Sequence, residues 1–81
     1  MRVPRDLSGA DLAKALVRLG YCATRQTDSH IRLTTQMHGE HHVTVPAHKT
    51  LPLGTLRSIL KQIAQHFGLT LDEICTRLFS G

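Results

Sequence analysis

Eighty-one residues with ten Lys and Arg against six Asp and Glu make a small basic chain of formal charge +4. That length accommodates one domain over residues 1–81 and excludes a separate regulatory module. The composition is globular, with 41% hydrophobic residues and three prolines, and a sequence pI near 9.7 suits a polyanionic partner without requiring one.

The chain opens with an approach segment, residues 1–7, in which Pro4 disfavours regular structure. Ser8-Gly9-Ala10-Asp11 then has the form of a capping box, with Ser8 at the N-cap and Asp11 at the third helical position. Leu12, Leu16 and Leu19 follow at helical spacing, and Gly20 is placed to stop the helix. Tyr21 to Gln26 reads as a strand with Tyr21 and Ala23 on one side and Cys22 and Thr24 on the other; the pattern does not say which side is buried. Thr27-Asp28-Ser29 makes a turn.

From His30 the residues alternate. Ile31, Leu33 and Thr35 face a core, while His30, Arg32 and Thr34 face away from it. A second strand-like run, His41 to Val45, turns Val43 and Val45 inward and His42 and Thr44 outward, and Pro46 ends it. Keeping both apolar sets on one face predicts a three-residue loop, Met37 to Gly39, that pairs Leu33 with Val43 and Arg32 with Thr44. Gly39 supplies the positive φ that such a loop needs.

Residues 47–53 read as a loop holding His48, Lys49 and Pro52. From Thr55 a helical stripe returns in Leu56, Ile59, Leu60, Ile63, Ala64 and Phe67, closed by Gly68. Thr70-Leu71-Asp72-Glu73 is a second capping box, opening a short last helix with Leu71, Ile74, Cys75 and Leu78 on one side. The predicted fold is α+β: a helix, a three-stranded antiparallel meander, a helix and a short closing helix. So few helices cover one sheet face only, leaving His30, Arg32, Thr34, His42 and Thr44 open to a ligand.

Cys22 and Cys75 lack CxxC or metal-like spacing and read as two reduced thiols. His38, His41, His42 and His48 invite a metal reading. His41 and His42 are adjacent, however, and on a strand point to opposite faces, so no metal is expected and all four read as solvated turn and strand residues. With neither a charged-then-apolar leader nor a membrane-length apolar run, a soluble intracellular protein is expected.

The ordered set Ser8-Gly9, Leu19-Gly20-Tyr21, Arg25-Gln26, Ser29-His30, Val45-Pro46-Ala47-His48 and Gly54-Thr55-Leu56-Arg57-Ser58-Ile59-Leu60 resembles the HicA toxins. These are small endoribonucleases of bacterial type II toxin–antitoxin pairs, and the likeness runs from Ser8 to about Leu78. It implies a fold like the double-stranded-RNA-binding domain, α-β-β-β-α, with one short C-terminal helix added. It implies His30 as the catalytic residue, mRNA as the substrate, a HicB-type antitoxin as the partner, and action in the bacterial cytoplasm without a cofactor. The family usually carries Gly-Ser-His where this chain has Asp28-Ser29-His30, which sets a carboxylate beside the turn.

On pattern alone His30 is explained as an ordinary surface histidine on a strand; the resemblance is what assigns it chemistry. RNA carries its own nucleophile in the ribose 2′-OH, so cleavage needs a base, an acid and cations for phosphate rather than a metal. His30 takes the base role, Arg25, Ser29, Arg32, His48 and Lys49 make up the RNA contact, and His48 or water serves as a second proton-transfer group. Arg57 and Lys61 read equally as phosphate contacts or as a solvated basic face. Two rivals accompany this reading: a non-catalytic RNA-binding module on the same scaffold, and a protein-interaction domain docking another chain on its open sheet.

Overall fold

The computed structural model describes residues 3–80, so Met1, Arg2 and Gly81, and with them the start of the approach segment, lie outside the described residues. In chain order the elements are helix α1 (Gly9–Leu16), a 3₁₀ turn (Val17–Leu19), strands β1 (Cys22–Gln26), β2 (His30–Thr35) and β3 (His41–Pro46), and helices α2 (Leu53–Phe67) and α3 (Leu71–Phe79).

Both expected capping boxes are formed. Ser8 Oγ accepts from the Asp11 amide at 3.0 Å while the Asp11 carboxylate accepts from the Ser8 amide, and Thr70 and Glu73 repeat the exchange at α3. The last turn of the first helix tightens into the 3₁₀ segment and ends at Gly20, whose φ is +80°. The left-handed backbone is what calls for glycine there; the Met37 Sδ that a Cβ would meet at 2.6 Å ends a flexible, exposed side chain that can move aside.

The three strands form one antiparallel sheet in the order β1-β2-β3. Leu33 pairs with Val43 and Arg32 with Thr44, the register that the apolar alternation requires. The ladder's last pair is Thr35–His41. Gln36 and Glu40 continue it through their side chains at 3.2 Å, leaving Met37 to Gly39 as the tip. His38 joins Gly39 in positive φ, at 58° and 95°. Pro46 belongs to β3 and pairs with His30, rather than ending the strand before it; β3 is an edge strand, where a missing N–H is tolerated.

β1 departs from plain alternation. Cys22 pairs with Thr34 and Ala23 with Leu33, but the next partner of Arg32 is Arg25, so Thr24 is bulged out of the ladder. All five β1 residues are exposed, and Tyr21, just before the strand, is the buried member of that stretch.

Ile31, Leu33, Val43 and Val45 face a single core with Leu12 and Leu16 of α1, the α2 stripe from Leu56 to Phe67, and Ile74, Cys75 and Leu78 of α3. Helix α2 begins at Leu53, three residues before Leu56 opens the apolar stripe, with Pro52 at its N-cap. Leu53 and Gly54 are exposed, so burial periodicity carries no sign of them. The loop before α2 is tied down on both sides: Gly9 donates to the His48 carbonyl at 2.9 Å and Leu51 to the Leu7 carbonyl at 2.7 Å. All helices lie on the apolar face of the sheet, and the chain has the α+β, double-stranded-RNA-binding-like order α-β-β-β-α with α3 added.

Candidate nucleic-acid interface

The uncovered sheet face begins at the turn that feeds β2. Thr27 donates its amide to the His30 carbonyl at 2.9 Å, and its hydroxyl accepts from the His30 amide at 3.1 Å and the Ser29 amide at 3.4 Å. Ser29 Oγ lies 2.9 Å from His30 Nδ1, and the Ala47 amide donates to the Ser29 carbonyl at 2.8 Å. His30 is thus exposed to solvent, yet its backbone is fixed by Thr27 and its ring by Ser29. With Nδ1 engaged, Nε2 is the nitrogen available to an incoming group.

Arg25 and Arg32 are cross-strand partners on the same face. Strict alternation would send Arg25 to the side of Ala23; the Thr24 bulge re-aims it beside Arg32. Neither guanidinium has a carboxylate within ion-pair distance among the described residues. Two adjacent, unpaired cations repel each other, and an anion between them relieves that repulsion.

His48 and Lys49 come to the same end of the sheet through the loop that the Ala47–Ser29 and Gly9–His48 hydrogen bonds hold. Both side chains are exposed, and among the described residues neither is hydrogen-bonded to His30. Asp28 likewise makes no hydrogen bond or ion pair to His30. Arg57 and Lys61 are exposed on α2, which covers the opposite face, so they do not extend the Arg25–Arg32 pair.

At the hairpin end of the open face a second polar group appears, which sequence reading left as separate solvated residues. Thr34 Oγ1 is 2.7 Å from His42 Nδ1, His42 Nε2 is 3.2 Å from Glu40 Oε2, and Gln36 holds the other Glu40 oxygen. Thr24 Oγ1 extends the chain, 3.3 Å from Thr34 Oγ1. The Gln36 amide first, and then His42, keep the Glu40 carboxyl below the usual glutamate value.

His41 also departs from the solvated reading. It points to the helix side, with Nδ1 2.7 Å from Tyr21 Oη and its ring stacked on His66 at 4.3 Å. Burial first, then the nearby His66 and His42, lower its pKa. His66 Nε2 donates to the Met37 and Gly39 carbonyls, clamping the hairpin tip to α2. His38 packs edge-on against Phe67. The parity of His41 with Val43 and Val45 along β3 puts it on the core side, a signal that the solvated reading passed over.

Among the described residues no group of three or more His, Cys, Asp or Glu side chains is arranged to hold a metal ion, and both cysteines are free thiols, Cys22 exposed and Cys75 buried. No helix of the described residues is long and apolar enough to cross a membrane. A cavity of about 710 Å³ lies between Val3–Arg5 and α3, away from the open face.

Comparison with curated proteins and with solved structures returned no match. A family model for the HicA toxin of bacterial toxin–antitoxin systems matches residues 9–64, about two thirds of the chain, from the first turn of α1 into α2. That span includes the Thr27–His30 turn, the Arg25–Arg32 pair and the loop carrying His48 and Lys49. The chain belongs to the HicA toxin family, a family of toxins whose activity is held in check by an antitoxin partner.

Proposed function

We propose that residues 1–81 form a single-domain endoribonuclease toxin that cleaves mRNA in the bacterial cytoplasm and is neutralised by a HicB-type antitoxin. The observation that carries this reading is His30. It stands exposed on an uncovered sheet face with Nδ1 held by Ser29, and the unpaired Arg25 and Arg32 lie on the same face.

In the proposed step Nδ1–H donates to Ser29 Oγ, leaving the lone pair on Nε2. Nε2 takes the proton of a ribose 2′-OH. The 2′-oxygen forms a bond to phosphorus, the bond from phosphorus to the 5′-oxygen breaks, and the products are a 2′,3′-cyclic phosphate and a free 5′-hydroxyl. The proton for the leaving 5′-oxygen comes from His48 or from water. Arg32 and Arg25, with Lys49 at the loop, balance the charge that builds on the phosphate. A histidine serves because its ordinary pKa of about 6.5 lets it accept and return a proton near neutral pH.

The test is His30→Ala, with cleavage of a mixed-sequence RNA and growth arrest as readouts. Loss of one well-placed acid–base group costs roughly 10²–10⁴-fold in rate. Cleavage at the wild-type rate by the variant sinks the mechanism. If the wild-type protein binds RNA without cutting it, the chain is an RNA-binding module on the same scaffold. His48→Ala in the same assay separates the two proton donors: a fall in rate assigns the histidine, no change assigns water.

A further inference from the structure

The geometry points to a base-reading subsite at the hairpin end of the open face, where Glu40, held by Gln36 and His42, receives the Watson–Crick edge of a guanine in single-stranded RNA. This rests on the RNA reading above and deepens it by naming what the far end of the surface recognises.

The placement comes from register. Thr34, which pairs with His42, is four residues along β2 from His30, roughly 13 Å at the rise of an antiparallel strand. Arg32 lies midway, with Arg25 beside it. A single strand of RNA laid along β2 with one phosphate at His30 and another at the arginine pair brings the next nucleotide to Thr34, His42 and Glu40. Both ends of that track are on the same uncovered face, so nothing in the fold interrupts it.

The chemistry at that end is the reverse of the chemistry at the arginines. Glu40 is an ionised carboxylate, which repels a phosphate and accepts hydrogen bonds. A base is therefore the part of the nucleotide that fits against it. Guanine alone among the four RNA bases presents two adjacent N–H donors, N1–H and N2–H, matching the two carboxylate oxygens in one plane. Adenine and cytosine offer an amino group next to a ring acceptor, and uracil offers one imino donor between two carbonyls; each leaves an acceptor facing an oxygen of Glu40.

The carboxylate is also preorganised. Gln36 Nε2 donates to Oε1 and His42 Nε2 to Oε2, each at 3.2 Å, and His42 is fixed from behind by Thr34 at 2.7 Å. Each carboxylate oxygen keeps one further lone pair for the base. An exposed glutamate that has lost its rotamer freedom in the free protein gives up little more on binding.

The experiment uses the full chain and short 2′-O-methyl oligonucleotides, which lack the 2′-hydroxyl nucleophile, carrying guanine, hypoxanthine or adenine at one position. Affinity is read by fluorescence anisotropy at fixed salt. Wild-type protein is expected to bind the guanine oligonucleotide roughly tenfold or more tightly than the other two, the discrimination a good bidentate pair supplies. Glu40→Gln, which keeps the shape and replaces one acceptor by a donor, should erase that preference while leaving the adenine oligonucleotide within about twofold. His42→Ala should weaken the preference through loss of the brace.

Equal affinity of wild-type protein for all three oligonucleotides, or an undiminished guanine preference in Glu40→Gln, overturns the subsite. A protein that cuts RNA yet shows either of those results keeps the catalytic reading and loses this one. A protein that prefers guanine through Glu40 yet cleaves nothing does the opposite.

Discussion

Arg25 stands directly across the β1–β2 ladder from Arg32 because Thr24 is bulged out of register, and two guanidiniums therefore share the uncovered face without a carboxylate between them. Such a pair is unfavourable in the empty protein and favourable around a phosphate. Arg25→Gln and Arg32→Gln should each weaken RNA binding and reduce the slope of log affinity against log salt by about 0.7 for a single strand. Deleting Thr24 makes a complementary test: it removes the extra residue but leaves Arg25 next after Ala23, still across from Arg32 on the open face. Its salt slope should stay that of wild type, unlike Arg25→Gln; a wild-type slope in both arginine variants would mean the pair is not what RNA contacts.

Most of the scaffold was legible because each element follows one rule that local sequence obeys. Ser8/Asp11 and Thr70/Glu73 announce two helix starts, Gly20 and Gly68 two stops, and Leu33 with Val43 a register. The start of α2 was not legible, because Leu53 and Gly54 are helical yet exposed and so leave no apolar period. The Thr24 bulge was invisible for a different reason: an extra residue on an exposed edge strand disturbs no buried pattern. Of the site, His30 was reached through family resemblance, whereas Thr27, Thr34 and Glu40 matter through hydrogen bonds that bring residues three to eight apart together. Charge alone left Arg57 and Lys61 equally readable as phosphate contacts or as a solvated basic face; the packing of α2 carries them on the helical side of the sheet.

Among the described residues Thr35 is the one buried polar side chain, 1% exposed, and it joins two chain reversals. Its hydroxyl donates to the Leu19 carbonyl at 2.9 Å and accepts from the Met37 amide at 3.1 Å, linking the end of the first helix to the hairpin tip. Thr35→Val keeps the shape and the strand preference but leaves both backbone groups without that partner. A loss of about 1–3 kcal/mol is expected from chemical unfolding. A midpoint equal to wild type would show that water replaces the hydroxyl at no cost.

Gly9 sets how closely α1 approaches the loop that carries His48 and Lys49. Its amide donates to the His48 carbonyl at 2.9 Å, and a Cβ there would sit 2.0 Å from the Pro46 carbonyl oxygen. The obstacle is backbone, so no side chain can swing aside. Gly9→Ala should cost roughly 1–3 kcal/mol through the shift it forces, despite alanine's better helix propensity. Because the same loop is tied to Ser29 by the Ala47 amide, RNA cleavage by the folded fraction should fall as well. Unfolding midpoints and rates per folded molecule separate the two effects.

His41 makes stability depend on pH in a window that the carboxylates leave clear. Burial first, and then His66 and His42, hold its folded pKa below the ordinary 6.5, so the unfolded chain binds this proton more readily than the folded one. The neutral ring, bonded to Tyr21 and stacked on His66, therefore contributes in full above 6.5, and the contribution is lost as pH falls below 6.5 through the folded value. Glu40 and Glu73 are shifted in the same direction but in a lower range: their folded pKa values lie below 4.5, so their contribution is present above that pH and is lost only in more acid solution. Urea midpoints taken from about pH 7.5 down to about pH 5 should decline for the wild-type protein and decline less for His41→Phe, which keeps a stacking ring but has no proton to bind. Parallel curves for the two proteins would rule out His41 as the source of the decline.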